Sequence, residues 1–170
     1  MEQNEKNELL AECRRFAARA GKILAAKHAH ASAAESLTGG LIASLIVDVP
    51  GASRWFSEGC VTYTDGAKAR RLDIDPALIA AHTAVSREVA LAMAEGMRRT
   101  SGSDISVSVT GLAGPGPDEL GRPAGLVYMG GAAGNGSVTK ELRLSGSREE
   151  IRLLTARAAL KLLTELAKLV

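Results

Sequence analysis

A serine followed by two glycines, in the run Glu35–Gly40 (ESLTGG), is the first segment of this chain that could do chemistry. A short strand is expected to end there and an apolar helix to begin, which exposes backbone N–H groups at the positive end of a helix dipole. The glycines would let a phosphate or a developing oxyanion approach these groups closely. Ser36 is placed as a nucleophile, with Thr38, Gly39 and Gly40 as anion-binding positions. The alternative is that Ser36 or Thr38 only caps the helix and the glycines form a tight turn.

The run Tyr63–Lys68 (YTDGAK) could supply a base for a hydroxyl nucleophile. Tyr63 is expected to end a strand and Lys68 to begin the next helix, so both could face one pocket. A lysine that is partly desolvated beside a tyrosine can be neutral enough to accept a proton. Arg70 and Arg71 add positive charge that could meet a phosphate. The alternative is a partly exposed tyrosine with solvated basic side chains.

A glycine- and proline-rich loop follows a predicted buried strand and begins with the sequence TGLAGPGP at Thr110. Ligands of open α/β sheets bind at the carboxyl edge of the strands, on loops of this kind. The connection from Gly111 to Pro123 has thirteen residues, which is long for a link within a compact domain. Thr110, Gly111 and Gly114 are therefore candidate substrate-binding residues. The alternative is a plain connection to the next strand.

Several other catalytic and metal-binding patterns are missing from the sequence. No Walker A sequence follows the first glycine pair, and no G-x-S-x-G pattern occurs. Cys13 and Cys60 are far apart, whereas a zinc site needs about four ligands at short spacing. His28 and His30 have no third ligand nearby, and His82 has no aspartate that can be placed as a triad partner. We expect neither a metal nor a cofactor.

The totals describe an ordinary globular chain. Its 170 residues are 46% hydrophobic and 24% charged, with a net charge of +2. This even balance argues against a nucleic-acid-binding protein, whose basic face usually appears in the totals. No stretch approaches the ~18 uninterrupted apolar residues of a membrane span, and the charged N-terminal segment lacks the apolar core of a secretory signal. We expect one cytoplasmic domain over residues 1–170.

Hydrophobic periodicity and turn residues divide the chain into alternating helices and strands. The predicted helices cover residues 7–27, 38–47, 67–72, 76–81, 86–99 and 147–169, with Ser86 and the capping box Ser147–Glu150 beginning the last two. The predicted strands cover residues 31–35, 59–64, 104–110, 124–133 and 138–144, with a hairpin turn at Asn135-Gly136. Strands that alternate with helices and end in a hairpin imply a three-layer α/β/α sandwich with a mixed sheet.

Five segments along the chain form a recognisable series. They read AESLTGGLIASLIVDVPGAS, GCVTYTDGAK, HTAVSREVALAMAEG, SVTGLAGPGP and GLVY. In this order and at these separations they resemble the C-terminal domain family of the CinA competence/damage-inducible proteins. The likeness extends from about the first predicted helix to the last, which is nearly the whole chain.

The resemblance implies an activity. Members of the family hydrolyse the carboxamide of nicotinamide mononucleotide, which yields nicotinic acid mononucleotide and ammonia in pyridine nucleotide recycling, and no metal is thought necessary. The family's serine mechanism falls on Ser36 as nucleophile, with Tyr63 and Lys68 as the activating pair. Asp65 departs from the family, whose members commonly carry asparagine there. Its charge could weaken the binding of a phosphate or could partner Lys68.

The same resemblance leaves the roles of the two glycine loops open. Backbone N–H groups around Thr38–Gly40 or at Gly111 would hold the oxyanion, and the other loop would hold the 5′-phosphate with Arg70, Arg71 or another basic residue. Two other functions use the same loops. One is a non-catalytic nucleotide-binding or regulatory domain, and the other is an amidase of a different small amide. For the enzyme we expect a homo-oligomer, since two-fold dimers are the commonest assemblies.

Overall fold

The computed structural model describes residues 2–170, and these residues form one mixed α/β unit. Its strands are β1 (Ala31–Glu35), β2 (Phe56–Val61), β3 (Ile105–Gly111), β4 (Leu126–Ala133) and β5 (Gly136–Arg143). Its α-helices are α1 (Gln3–Ala26), α2 (Leu41–Val47), α3 (Asp65–Leu72), α4 (Pro76–His82), α5 (Arg87–Ser101) and α6 (Arg148–Leu166), and a short 3-10 helix covers Ala52–Arg54.

The five strands form one sheet in the order β2-β1-β3-β4-β5. β1 runs parallel to both β2 and β3, whereas β4 and β5 complete the sheet as antiparallel strands. The carboxyl ends of β1, β2 and β3 therefore open onto the same edge of the sheet. The chain leaves β1 toward β2 on one side and returns to β3 on the other, and ligands of open α/β sheets bind at such a reversal.

Helices cover both faces of the sheet, which confirms the predicted three-layer sandwich. On one face α6 packs on β3 and β4, and α1 and α2 pack against α6. Leucine, isoleucine, valine and alanine side chains fill the core beneath them. On the other face α5 packs across β1, β3 and β4, with α3 and α4 beside it. A smaller core that includes Met93 and Met97 lies there.

The strand predicted over 59–64 lies three residues earlier, over Phe56–Val61. Its pairing with β1 sets these bounds, because Ala31 lies opposite Phe56 and Glu35 opposite Val61. Tyr63 therefore follows the strand rather than ending it. The next residue, Thr64, caps α3 by accepting a hydrogen bond from the N–H group of Ala67. Lys68 lies within the first turns of α3 rather than at its start.

Pairing also moves the hairpin turn. Ala133 lies opposite Gly136, so the two turn residues are Gly134 and Asn135 rather than the predicted Asn135-Gly136. Helix starts with a local cap are as predicted: Ser86 caps α5, and Ser147 forms the capping box of α6. Two other helix bounds differ from the prediction: α1 starts at Gln3, where Glu2 and Glu5 form a capping box, and α6 ends at Leu166.

Candidate active site

A cavity of about 280 Å³ opens at the carboxyl edge of β1 and β3. This volume is close to the lower end of the range for small-molecule pockets, about 300 Å³. Four segments distant in sequence form its wall: the turn after β1, the segment after β2, the loop after β3 and the start of α6. The lining residues are Ser36, Leu37, Tyr63, Arg148 and residues 111–118.

The side chain of Lys68 reaches Ser36 from behind the cavity wall. Its Nζ lies 3.3 Å from Ser36 Oγ and also donates a hydrogen bond of 2.9 Å to the backbone oxygen of Thr62. Lys68 is only 1% exposed. This burial lowers the pKa of Lys68, and the nearby charge of Asp65 opposes the shift. A buried amine held against a hydroxyl in this way can act as its general base.

The carboxylate of Glu35 already occupies the N-terminus of α2. It accepts hydrogen bonds from the N–H groups of Gly40 and Ile42, both at 3.0 Å, and of Ala43 at 2.8 Å. Glu35 is fully buried. The amide of Gly40 is thus engaged within the protein, and the start of this helix is not an open anion site.

The turn from Ser36 to Gly40 leaves two N–H groups free. Ser36 N–H donates to Val109, Gly39 N–H donates to Ser36, and the amides from Gly40 to Ala43 donate to Glu35 or to Thr38. In this turn, the N–H groups of Leu37 and Thr38 have no hydrogen-bond partner among residues 2–170. Both directly follow the candidate nucleophile. The tight turn needs its glycines, because Gly39 and Gly40 have φ angles of 61° and 94°.

Arg148 and Tyr63 form the rim of the cavity. Arg148 donates one hydrogen bond of 2.7 Å to the backbone oxygen of Gly114 and one of 3.1 Å to the hydroxyl of Tyr63. The Tyr63 residue is 59% exposed. Its hydroxyl therefore contacts Arg148, and the direct partner of Ser36 is Lys68. Among the described residues that line the cavity, Arg148 is the only one with a positively charged side chain.

Side-chain contacts hold the loop after β3 in place. Arg122 donates hydrogen bonds to the carboxylate of Asp118, to the hydroxyl of Thr83 and to the backbone oxygen of Val85. The guanidinium of Arg122 lowers the pKa of Asp118. At the base of the loop, the buried Thr110 hydroxyl donates to the backbone oxygen of Ala84 at 2.7 Å. These contacts tie the loop to the segment that precedes α5.

The structure brings together some of the residues that the sequence singled out and separates others. Around one cavity lie Ser36, Tyr63, Lys68, Gly111 and Gly114. Thr110 braces the loop from below, and Thr38, Gly39 and Gly40 shape the turn without lining the cavity. Arg70 is exposed and lies outside the cavity lining, and Arg71 is paired with Glu58.

Sequence reasoning missed three contributors: the capping role of Glu35, and the arginines Arg148 and Arg152 of α6. Arg152 contacts the backbone oxygens of Leu37 and Thr38. The two arginines stand four positions apart after a capping box, which places them on one face of a helix. This spacing could have marked them as a pair, but it does not say which loop they face.

Residues 2–170 contain neither a cluster of metal-binding side chains nor a helix that could span a membrane. Over residues 2–170, no group of three or more histidine, cysteine, aspartate or glutamate side chains is arranged to hold a metal ion. In the same residues, no helix has both the length and the apolar character needed to cross a bilayer.

Comparison with known proteins gives a consistent result. The family model described as the CinA C-terminal domain matches residues 14–167. A CinA-like protein of Geotalea uraniireducens is 51% identical over 120 residues, which cover 71% of this chain and 29% of that protein. A competence-damage inducible protein of Moorella thermoacetica is 47% identical over 132 residues, which cover 77% of this chain and 32% of that protein. The chain thus spans about a third of the length of these relatives.

Solved structures match over nearly the whole fold. The competence/damage inducible protein CihA from Agrobacterium tumefaciens has a TM-score of 0.87 and 38% identity, with 91% of this chain and 95% of that chain covered. A CinA superfamily protein from Klebsiella pneumoniae has a TM-score of 0.88 and 28% identity, with 93% of this chain and 99% of that chain covered.

Proposed function

The chain belongs to the family of the CinA C-terminal domain, and we propose that it is a serine amidohydrolase that deamidates nicotinamide mononucleotide. The observation that carries this proposal is the contact of Ser36 Oγ with Nζ of the buried Lys68 at the wall of a small cavity. A serine hydroxyl is a weak nucleophile until a base takes its proton. Burial lowers the pKa of Lys68 and so raises the fraction of the neutral amine, which is the form that accepts the proton.

In the first half of the reaction, Ser36 Oγ attacks the carboxamide carbon while its proton passes to Lys68. The carbonyl oxygen becomes an oxyanion, and the free N–H group of Leu37, a residue that lines the cavity, is the backbone donor available for it in the turn. The C–N bond then breaks as Lys68 returns the proton to the leaving nitrogen. Ammonia departs, and the nicotinoyl group remains as an ester on Ser36.

In the second half, water hydrolyses this ester. Lys68 takes a proton from the attacking water, a tetrahedral oxyanion forms again, and the ester bond breaks as Ser36 Oγ recovers a proton from Lys68. The product is nicotinic acid mononucleotide. Because Thr62 accepts a hydrogen bond from the Lys68 amine, the lysine stays directed toward Ser36 through both halves.

The 5′-phosphate fits best beside the loop after β3. The start of α2, which sequence reasoning offered as an anion site, already holds Glu35. Arg148 lines the cavity and uses two hydrogen bonds on Gly114 and Tyr63, whereas a guanidinium has five N–H donors. The remaining donors can bind phosphate oxygens. We therefore assign the oxyanion to the first turn and the phosphate to Arg148 and the second loop.

The test of this function is the release of ammonia and nicotinic acid mononucleotide from nicotinamide mononucleotide, with a chelator present. We expect wild-type protein to release both and Ser36→Ala to lose at least 1,000-fold in kcat, since losing a nucleophile leaves only binding and oxyanion stabilisation, an effect of roughly this order or larger. Ser44→Ala on α2 is the matched control and keeps full activity. No release by folded wild-type protein contradicts the proposal, and release of ammonia from free nicotinamide alone indicates an amidase of another small amide.

A further inference from the structure

We propose that Arg152 is a positioning residue that holds the turn so that the N–H group of Leu37 faces the oxyanion, an inference that rests on the serine mechanism proposed above. Arg152 extends from α6 to the outer side of the turn. Its Nε donates a hydrogen bond of 3.1 Å to the backbone oxygen of Leu37, and its Nη2 donates one of 2.7 Å to that of Thr38. Within residues 2–170, these two carbonyl groups are its hydrogen-bond partners.

The geometry of a trans peptide links these contacts to the free amides. In each trans peptide the C=O and the following N–H point in opposite directions. The bond from Arg152 to the Leu37 carbonyl therefore turns the Thr38 N–H away from α6. The Leu37 N–H shares a peptide plane with the Ser36 carbonyl, which the Gly39 N–H holds at 3.1 Å. The Gly39 N–H in turn shares a peptide plane with the Thr38 carbonyl, which Arg152 binds, so Arg152 orients the Leu37 N–H through Gly39.

The charge of Arg152 adds to this orientation. A guanidinium that binds a carbonyl oxygen polarises the peptide and makes its N–H a stronger donor. Glu35 anchors the other end of the turn through the amides of Gly40, Ile42 and Ala43. The turn is therefore held from both ends by two side chains of opposite charge, and the two N–H groups between them remain free. Such fixed donors stabilise an oxyanion without reorganising as the charge develops.

Steady-state kinetics with nicotinamide mononucleotide test the role of Arg152. We expect Arg152→Met to lower kcat about 100-fold, the effect of losing one oxyanion donor, and to change KM less than about twofold because the ground-state amide makes little use of these donors. Arg152→Lys keeps the charge and one donor, so it should recover part of the loss. Arg157→Met is the matched control on α6, because Arg157 pairs with Glu12 away from the turn. An unchanged kcat, or a higher KM at unchanged kcat, overturns the proposal.

A second readout does not depend on turnover. Pyridine-3-boronic acid can bond its boron to Ser36 Oγ as the serine proton passes to Lys68, which gives a tetrahedral boronate with an oxygen in the oxyanion position. By NMR we expect the amide proton of Leu37 to show downfield shifts in the wild-type adduct. The Arg152→Met adduct should lack these shifts, and Ser36→Ala should form no adduct. Circular dichroism of both variants checks that they are folded.

The two readouts separate the function from the inference. A shifted Leu37 amide in the wild-type adduct that is lost in Arg152→Met, in a protein that does not hydrolyse the mononucleotide, contradicts the proposed substrate and supports the role of Arg152. Wild-type shifts in the Arg152→Met adduct overturn that role while the proposed function stands. The lack of any adduct on folded wild-type protein overturns both.

Discussion

Residues 36–40 after β1 and residues 111–125 after β3 both pass the carboxyl edge of the sheet with glycines, yet different groups hold them in place. In the first segment, backbone amides and a buried carboxylate satisfy each other, so that two N–H groups beside Ser36 remain free. In the second, the side chains of Arg122 and Asp118 anchor the loop, and its backbone lines the cavity.

The way in which Glu35 fills the first segment shows that a glycine-rich start of a helix is not by itself an anion site. Both segments place glycines at the carboxyl edge of the sheet, as phosphate-binding loops do. In the first segment, however, Glu35 supplies the negative charge from within the chain. The positive charge of the cavity comes instead from Arg148, which belongs to α6 and contacts the second loop at Gly114.

Glu35→Ala should have the largest effect of the three substitutions. If it does not, the buried carboxylate is not what holds the first segment in place. The change leaves the buried amide of Ile42 and the partly buried amides of Gly40 and Ala43 without partners, so we expect a loss of about 3 kcal/mol in the free energy of unfolding. Urea denaturation followed by circular dichroism measures this loss. Glu95→Ala, at an exposed position of α5, is the control and should stay within about 0.5 kcal/mol of wild type. A loss below about 1 kcal/mol for Glu35→Ala would mean that water serves these amides equally well.

Arg148→Met tests the second loop as the phosphate side. Removing a charge-assisted hydrogen bond costs about 2 kcal/mol, so KM for nicotinamide mononucleotide should rise about 30-fold. KM for nicotinamide riboside, which lacks the phosphate, should not change. Arg143→Met is the control, since Arg143 is exposed and pairs with Glu141. An equal rise in KM for both substrates would show that Arg148 does not recognise the phosphate.

Asp65→Asn should have the smallest effect. It should change the pH dependence of kcat/KM through Lys68, the proposed base. The charge of Asp65 raises the pKa of Lys68, so its removal lowers that pKa and leaves more of the lysine neutral at a given pH. The acid limb of kcat/KM should therefore move to lower pH. Asp73→Asn, which removes an exposed partner of Arg99, should leave the limb in place. A shift to higher pH in Asp65→Asn would contradict the assignment of Lys68 as the base.

The sequence predicted the position of an element correctly where a nearby feature marks it, such as a run of small residues in a strand or a capping serine before a helix. The small-residue strand Ala31–Glu35 and the capped starts of α5 and α6 lie where the sequence placed them. The strand Phe56–Val61 and the hairpin turn were displaced, because pairing with a neighbouring strand sets their bounds. Such register depends on residues elsewhere in the chain, which a local pattern does not contain.

The sequence identifies the chemical groups of the candidate site: a serine before two glycines, a lysine near the start of a helix and a second glycine-rich loop. Only the tertiary structure decided which of these groups meet. Lys68 reaches Ser36 across 32 residues, and Arg152 reaches Thr38 across 114. Glu35 lies beside its partners in sequence, yet its carboxylate caps α2 only because the end of β1 is buried beneath that helix. The physical reason is that strand order and helix packing bring distant residues together, and these depend on the whole hydrophobic core rather than on any one segment.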